Sequence, residues 1–385
     1  MIPADRTRYL PAGGLAALLG AGREYGAVDL AVGTPGWPVP APDLIEQACV
    51  ALRTGNNQYE NPAGNLELRE QLAGVLADAG DPADPATELT ITVGGSEGLC
   101  VAFLSVVDPG DEVIVLEPSY ENFLGGIALA GGRPRYVRVG ADWRIDPDVL
   151  AAAFGSRTRA IVLNTPNNPT GHVLSREELG VVARLCERWD TTVISDEVYS
   201  TYVFDGREHI SVADDPALRA RSIVIGSLSK SHAISGWRMG FLRANAAITE
   251  VLRQVHIATT AGGAGPLQRA VAEAGVLRSG DWNPAAQMQR NRDRVVAMFS
   301  RLGLRCSVPE GGCYVMADIR PFTDQTSDKF AHRLLVHGGV VVAPGQFFFG
   351  AGVGGDDFIR IAFNRPDDTL DEAERRLTRF GQGVE

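Results

Sequence analysis

Positive charge is in short supply in this 385-residue sequence: 36 lysines and arginines stand against 47 aspartates and glutamates, a formal net charge of −11. A nucleic acid or an anionic membrane needs a basic surface, so neither is the expected partner. Cysteine is scarce as well. Cys49, Cys100, Cys186, Cys306 and Cys313 are odd in number, scattered and mostly set in apolar runs, with neither a C-x-x-C pair nor metal-ligand spacing. That pattern predicts reduced, buried thiols rather than a disulfide framework, and no metal site. No uninterrupted apolar run reaches membrane-spanning length, and the start Met1-Ile-Pro-Ala-Asp5 lacks a basic segment followed by an apolar core. The expected location is the cytoplasm. Internal repeats and low-complexity linkers are absent too.

What the chain does have is 45% hydrophobic residues against 22% charged, enough for a large core and two domains. Short apolar runs at Leu89–Val93, Glu112–Leu116, Ala160–Leu163, Thr192–Ile194 and Ser222–Ile225 alternate with helical stretches. Alternation of this kind predicts an α/β architecture with a mainly parallel sheet covered by helices. Leu68, Leu72, Val75 and Leu76 repeat at the spacing of one buried helical stripe. Beyond about residue 275 the pattern changes to a long helix, apolar runs at Cys313–Ile319, Phe330–Val336, Val340–Val342 and Phe358–Phe363, and a charged helix from Leu370. This reads as a smaller α+β domain.

Chemistry enters at Ser227-Leu-Ser229-Lys230, followed by Gly236-Trp-Arg238. A lysine amine that can form an imine stands between two side chains suited to a phosphate, the combination that pyridoxal 5'-phosphate (PLP) requires. Upstream, Thr192–Ser195 empties into Asp196-Glu-Val-Tyr199, and Ile161–Leu163 runs into Asn164-Thr-Pro-Asn-Asn168-Pro-Thr-Gly171. Ligands of open α/β sheets sit beyond the carboxyl ends of the strands, so Asn168, Asp196 and Lys230 can converge on one crevice. A carboxylate at Asp196 would hold a proton on the pyridine nitrogen by charge pairing. At Val93-Gly94-Gly95-Ser96-Glu97 a strand ends in glycines and a helix begins, where the free N–H groups of Gly95 and Ser96 suit a phosphate. Arg360 breaks the apolar run Phe358–Phe363, and a half-buried arginine needs an anionic partner.

The order Asn168, then Asp196 and Tyr199, then Lys230 and Arg238 resembles that of the class I/II aminotransferases, the fold-type I PLP enzymes. Supporting matches span nearly the whole chain: Gly33-Thr-Pro-Gly-Trp37, Tyr59 with Gly64 and Leu68-Arg69, Gly94–Glu97, Pro118-Ser-Tyr120, Pro344-Gly345 and Ile359–Ile361. The resemblance implies a large PLP-binding domain over residues 38–275, with a mainly parallel seven-stranded sheet, and a small domain joining 1–37 to 276–385. It implies that Tyr199 and Asn168 hydrogen-bond the phenolic oxygen of PLP, that Tyr120 stacks on its ring, that Ser227 and Arg238 serve the cofactor's phosphate, and that Ser229 is among the cofactor-binding residues. It also implies that Gly33, Asn168 and Arg360 receive the substrate α-carboxylate. Tyr59 is similar to a tyrosine that reaches the phosphate of a neighbouring subunit, so a homodimer with shared active sites is expected.

The expected reaction is transamination between an amino acid and a 2-oxo acid, with Lys230 as anchor and general base and with Asp196 and Tyr199 supporting it. Cofactor motifs identify the cofactor and not the outcome, so elimination, substitution or ring closure by the same residues stays open. An aminotransferase-like ligand-sensing domain is a third reading, disfavoured by the acidic charge and by the lack of a DNA-binding stretch before the first motif. Two segments depart from the family pattern, the glycine-rich Gly262–Gly265 and Gln346-Phe-Phe-Phe349. Each reads equally as pocket lining or as surface loop. No arginine besides Arg360 presents itself for a distal carboxylate, so aspartate or glutamate specificity is not supported.

Overall fold

A computed structural model describes residues 3–10, 13–54, 57–278, 284–350 and 354–383. Strand β1 (Val28–Asp29) lies in the N-terminal arm. The strands β2 (Leu89–Val93), β3 (Glu112–Glu117), β4 (Arg133–Arg138), β5 (Thr158–Asn164), β6 (Thr192–Asp196), β7 (Ser222–Ser227) and β8 (Met239–Arg243) form one seven-stranded sheet. Their order is β2-β8-β7-β6-β5-β3-β4. Only β8 runs antiparallel to its neighbours. The central strands are buried on both faces, which is why β5, β6 and β7 read as continuous apolar runs. Helices on the two faces close separate apolar clusters, one around Leu163, Val182 and Val193 and the other around Phe103, Ile127 and Ile194.

Two strands of this sheet were not foreseen. Edge strand β4, Arg-Pro-Arg-Tyr-Val-Arg, is mostly exposed, and its charges and proline suit an edge rather than a core. Strand β8 carries Gly240 within it and ends in Arg243, which is fully buried against Asp81 at 2.7 Å. In the helix Leu66–Asp78 the expected stripe holds at Leu68, Leu72 and, in part, Leu76. Val75 is the correction: it stands to one side of the line through Leu68, Leu72 and Leu76 and is 41% exposed.

The C-terminal third builds a second sheet from β9 (Arg305–Cys306), β10 (Tyr314–Asp318), β12 (Ala343–Pro344) and β13 (Phe358–Ala362), all antiparallel in the order β12-β13-β10-β9. Between them, β11 (Val340–Val341) pairs in parallel with β1, Val28 opposite Val340. The helices Ala285–Arg301 and Asp367–Gln382 cover the apolar cluster around Phe299, Phe330 and Phe363. Of the five cysteines, all free thiols, Cys186 and Cys313 are buried, whereas Cys49, Cys100 and Cys306 are only half-buried, which corrects part of the expectation. Among the described residues no helix is long and apolar enough to cross a membrane.

The two sheets are joined by a buried charge cluster. His172 Nδ1 meets Glu310 Oε2 at 2.9 Å and its Nε2 meets Glu178 Oε1 at 3.0 Å. Burial opposes charge on the ring, but the two carboxylates outweigh it and lift the imidazole to about 9. Its partners Glu178 and Glu310 fall to about 2. Glu178 also completes a capping box with Ser175 at the start of helix Arg176–Trp189, so one carboxylate fixes both the helix and the imidazole.

Candidate active site

The carboxyl ends of β5, β6 and β7 face a cavity of about 430 Å³, which also reaches the N-terminus of helix Gly94–Val106 and the small sheet. Twelve sequence-selected residues line it: Gly33, Gly95, Ser96, Tyr120, Asn168, Asp196, Tyr199, Ser227, Ser229, Lys230, Arg238 and Arg360. Tyr59 is not brought to it; the side chain is 92% exposed, away from the cavity of its own chain.

Lys230 is placed by a local motif. Strand β7 ends at Ser227, whose Oγ accepts the N–H of Ser229 at 3.0 Å and caps the single helical turn Leu228–Ser231. That turn projects Lys230 into the cavity, where Nζ donates to the Gly33 carbonyl at 2.7 Å. Tyr202 Oη holds the Lys230 carbonyl at 2.6 Å from behind. Burial lowers the amine below the usual lysine range, and Arg360, Arg365 and Arg238 add to the effect. A depressed ammonium is more easily freed as a base or nucleophile.

Asp196 ends the neighbouring strand β6, buried, and accepts from Val198 N at 3.3 Å. Desolvation lifts its carboxyl to about 7, and the adjacent Glu197 charge pushes in the same direction. Glu197 itself is held ionised by His209 at 2.8 Å, by Ser195 Oγ at 2.8 Å and by Val212 N. Tyr199 is buried edge-on against Tyr314, ring centroids 6.1 Å apart. Tyr120 packs edge-on to Phe123 at 5.6 Å, with its hydroxyl accepting from Asn122.

The end of the cavity at helix Gly94–Val106 is a cradle of backbone. Glu97 accepts the Val93 N–H at 2.8 Å and anchors the turn, leaving the first N–H groups of the helix, Gly95 and Ser96 among them, without intrahelical partners. Strand β8 lies against this turn so closely that a Cβ on Gly240 would fall 2.5 Å from the Gly94 carbonyl carbon. Arg238, at φ 53°, lays its guanidinium over Gly94, and Nη1 donates to Ser235 O at 2.8 Å.

At the opposite wall, Arg360 is 2% exposed and lies between two rings, 4.0 Å from the Tyr314 centroid and 4.4 Å from that of Phe348. Each desolvated cation–π contact of this kind contributes roughly 2 kcal/mol. Nη1 donates to Asn168 Oδ1 at 2.9 Å and Nη2 to the Ala31 carbonyl at 2.6 Å, whereas Nε is buried without a partner. No carboxylate pairs with Arg360 among the described residues. A buried cation with only neutral acceptors is ready for an anion.

Sequence reasoning missed several groups that set this geometry. Asn164 accepts the Asn168 N–H at 2.6 Å and donates to the Asp196 carbonyl at 2.9 Å, tying two strand ends together. Asn364 Nδ2 donates to the Gly33 carbonyl at 3.0 Å, and Arg365 gathers the carbonyls of Asp29, Val32 and Thr34. Tyr314 sits in an apolar strand and gave no polar signal. Of the two unusual segments, Phe348 reaches the site by stacking on Arg360, whereas Gly265 packs against Gln58 and Glu60, beside Tyr59 and outside the cavity.

Residues 27–377 match the family model of aminotransferase class I and II. The chain is 32% identical to human kynurenine--oxoglutarate transaminase 1, with 93% of each chain covered. It is 34% identical to the probable N-succinyldiaminopimelate aminotransferase DapC of Mycobacterium tuberculosis, with 92% of each covered. Among solved structures, that of N-succinyldiaminopimelate aminotransferase from Mycobacterium tuberculosis superposes with a TM-score of 0.93 at 32% identity, covering 98% of this chain and 100% of the other. The methionine aminotransferase YbdL of Escherichia coli gives a TM-score of 0.93 at 28% identity with the same coverage. With its mostly parallel seven-stranded sheet, this chain belongs to the class I and II aminotransferases and has their fold-type I architecture.

Proposed function

We propose that the protein moves an α-amino group between an amino acid and a 2-oxo acid with pyridoxal 5'-phosphate held in this cavity. The observation that carries the reading is Lys230, with its depressed amine, beside the buried Asp196 at the ends of adjacent strands. Three features of the cavity suit the cofactor: a helix N-terminus with Arg238 for a phosphate, an acid without a bonded cation for a ring nitrogen, and an amine for an aldehyde. When bound, pyridoxal phosphate supplies an aldehyde that condenses with amines and a ring that draws electrons from the substrate α-carbon.

The chain's own groups then divide the work. Gly95, Ser96, Ser227, Ser229 and Arg238 hold the phosphate end. Asp196 keeps a proton at the ring nitrogen, and a cation there would return its carboxyl toward the ionised form. Asn168 and Tyr199 hydrogen-bond the phenolic oxygen, and Tyr120 covers the ring. Arg360, oriented by Asn168, Tyr314 and Phe348, takes the α-carboxylate, with Gly33 beside it. Lys230 Nζ, released from the Gly33 carbonyl, removes the α-proton and later returns it.

A homodimer in the cytoplasm, with Tyr59 of each subunit completing the other's phosphate site, is part of this proposal; the almost fully exposed Tyr59 ring supports it. So is a division into a large domain over 38–275 and a small one joining 1–37 to 276–385, supported by the pairing of β1 with β11. Product analysis tests the reaction. Protein loaded with pyridoxal phosphate, incubated with amino acids and an oxo acid, should yield the exchanged pair by mass spectrometry and NMR. Ammonia, an oxo acid and an expelled side-chain group formed without an acceptor would replace transfer with elimination, and a cyclic amino acid with the expelled group would replace it with ring closure.

A further inference from the structure

Glu121 follows Tyr120 at the start of helix Asn122–Ala130 and lines the same cavity as Arg360. Its carboxylate makes no capping hydrogen bond and takes part in no side-chain hydrogen bond or ion pair among the described residues. It is half-buried, so the lack of a partner is not the ordinary state of a solvated surface acid. Burial pushes the carboxyl up and Arg360 pulls it back, so the two groups act on each other through the cavity.

The loop that carries Glu121 is also fixed. Ser119 N donates to the Phe348 carbonyl at 2.8 Å, and Gly350 N donates to the buried Glu117 carboxylate. The anchored segment therefore includes Phe348, which stacks on Arg360, so the acid and the arginine keep one spatial relation. Three cations line the cavity, Lys230, Arg238 and Arg360. In the reading above all three are committed, to the amine chemistry, the phosphate and the α-carboxylate. Among the described residues of this chain, a second carboxylate on a substrate finds no free cation lining the cavity and faces the unpaired Glu121 anion. Leu15 and Val32 supply apolar wall in the same cavity.

We propose that Glu121 is a specificity-determining residue that sets the site against substrates with a side-chain carboxylate and toward neutral side chains, above all those that donate a hydrogen bond. The proposal rests on the aminotransferase reading of the cavity. Glutamine and glutamate are nearly isosteric, so the ratio of their kcat/KM values isolates the charge. The wild-type holoenzyme should favour glutamine, and added salt should narrow the gap, because like charges are screened. Glu121→Gln should shrink the ratio on the order of 10-fold to 100-fold, and Glu121→Lys should invert it.

A capping role for Glu121 would change stability without moving that ratio. A ratio that stays flat across Glu121→Gln and Glu121→Lys, or a wild-type enzyme that prefers glutamate at low salt, overturns the proposal and leaves the aminotransferase reading intact. If pyridoxal phosphate gives no chromophore with the protein and neither amino acid is turned over, the reading of the site and this proposal fall together.

Discussion

Arg360 donates to Asn168 Oδ1 across 2.9 Å, so a strand of the small sheet and the loop after β5 meet at a single guanidinium. Because that guanidinium is also clamped between Tyr314 and Phe348, its plane is fixed before any substrate arrives. Arg360→Lys keeps a charge but loses the fork and the stacking. Amino-acid kcat/KM should fall about 100-fold or more, with far smaller effects on decarboxylated amines and on cofactor affinity. Steady-state kinetics on matched acid and amine pairs decide it; equal losses on both would leave Arg360 as a structural cation.

Asp196 gives a stability prediction with a defined sign. Its native carboxyl sits near about 7, above the ordinary aspartate value, so the cofactor-free native state holds a proton that the unfolded chain releases. Stability of the cofactor-free protein should therefore fall as pH rises from about 4 to 7. Asn cannot ionise, so Asp196→Asn without cofactor should be more stable than wild type at pH 8, on the order of 2 kcal/mol, with the difference gone near pH 4. Turnover with cofactor should drop on the order of 100-fold. Thermal melts across pH read the first effect; parallel curves for the two proteins would mean that Asp196 is already ionised in the empty cavity.

His172 carries the opposite sign. Its native imidazole is raised to about 9, so its contribution is full below the ordinary histidine value near 6.5 and is lost as pH rises through about 9. The Glu178 and Glu310 shifts to about 2 add stability above about 4.5 that is lost as pH falls through about 2. Arg144 and Arg207 also approach these carboxylates and soften the dependence. His172→Gln should lower the Tm at pH 6 and approach wild type above pH 9. A variant whose melting curve runs parallel to wild type over that range would show that the ring is not charged.

Legibility followed burial. Strands β5, β6 and β7 carry unbroken apolar runs because both faces are covered, and the residues just past their ends were found for that reason. Strand β4 was missed because an exposed edge keeps arginines and a proline, and β8 because Gly240 interrupts it. In the site, groups whose chemistry contradicts their surroundings stood out, Arg360 in an apolar strand above all. Tyr314 and Asn364 stayed invisible, because an aromatic in a core strand and an amide after a strand look ordinary until folding brings them to the arginine and to the Gly33 carbonyl.

Shared sites are testable by mixing. A Tyr59→Phe variant combined with a Lys230→Ala variant should give heterodimers with one native site, and activity should rise above that of either parent. Sedimentation at assay concentration checks the same point: a fully active monomer would remove Tyr59 from the phosphate site.

The contact between Gly240 and the turn at Gly94 has a consequence for anyone diversifying this enzyme. Where β8 meets the cradle, backbone lies on backbone: a Cβ at Gly240 would stand 2.7 Å from the Gly95 nitrogen. Side chains elsewhere can trade volume with their neighbours, but here no neighbour has a side chain to give. Libraries that vary position 240 will be dominated by inactive clones whatever the selected substrate, whereas position 121, on the cavity wall, is where variation can re-address the enzyme without dismantling it.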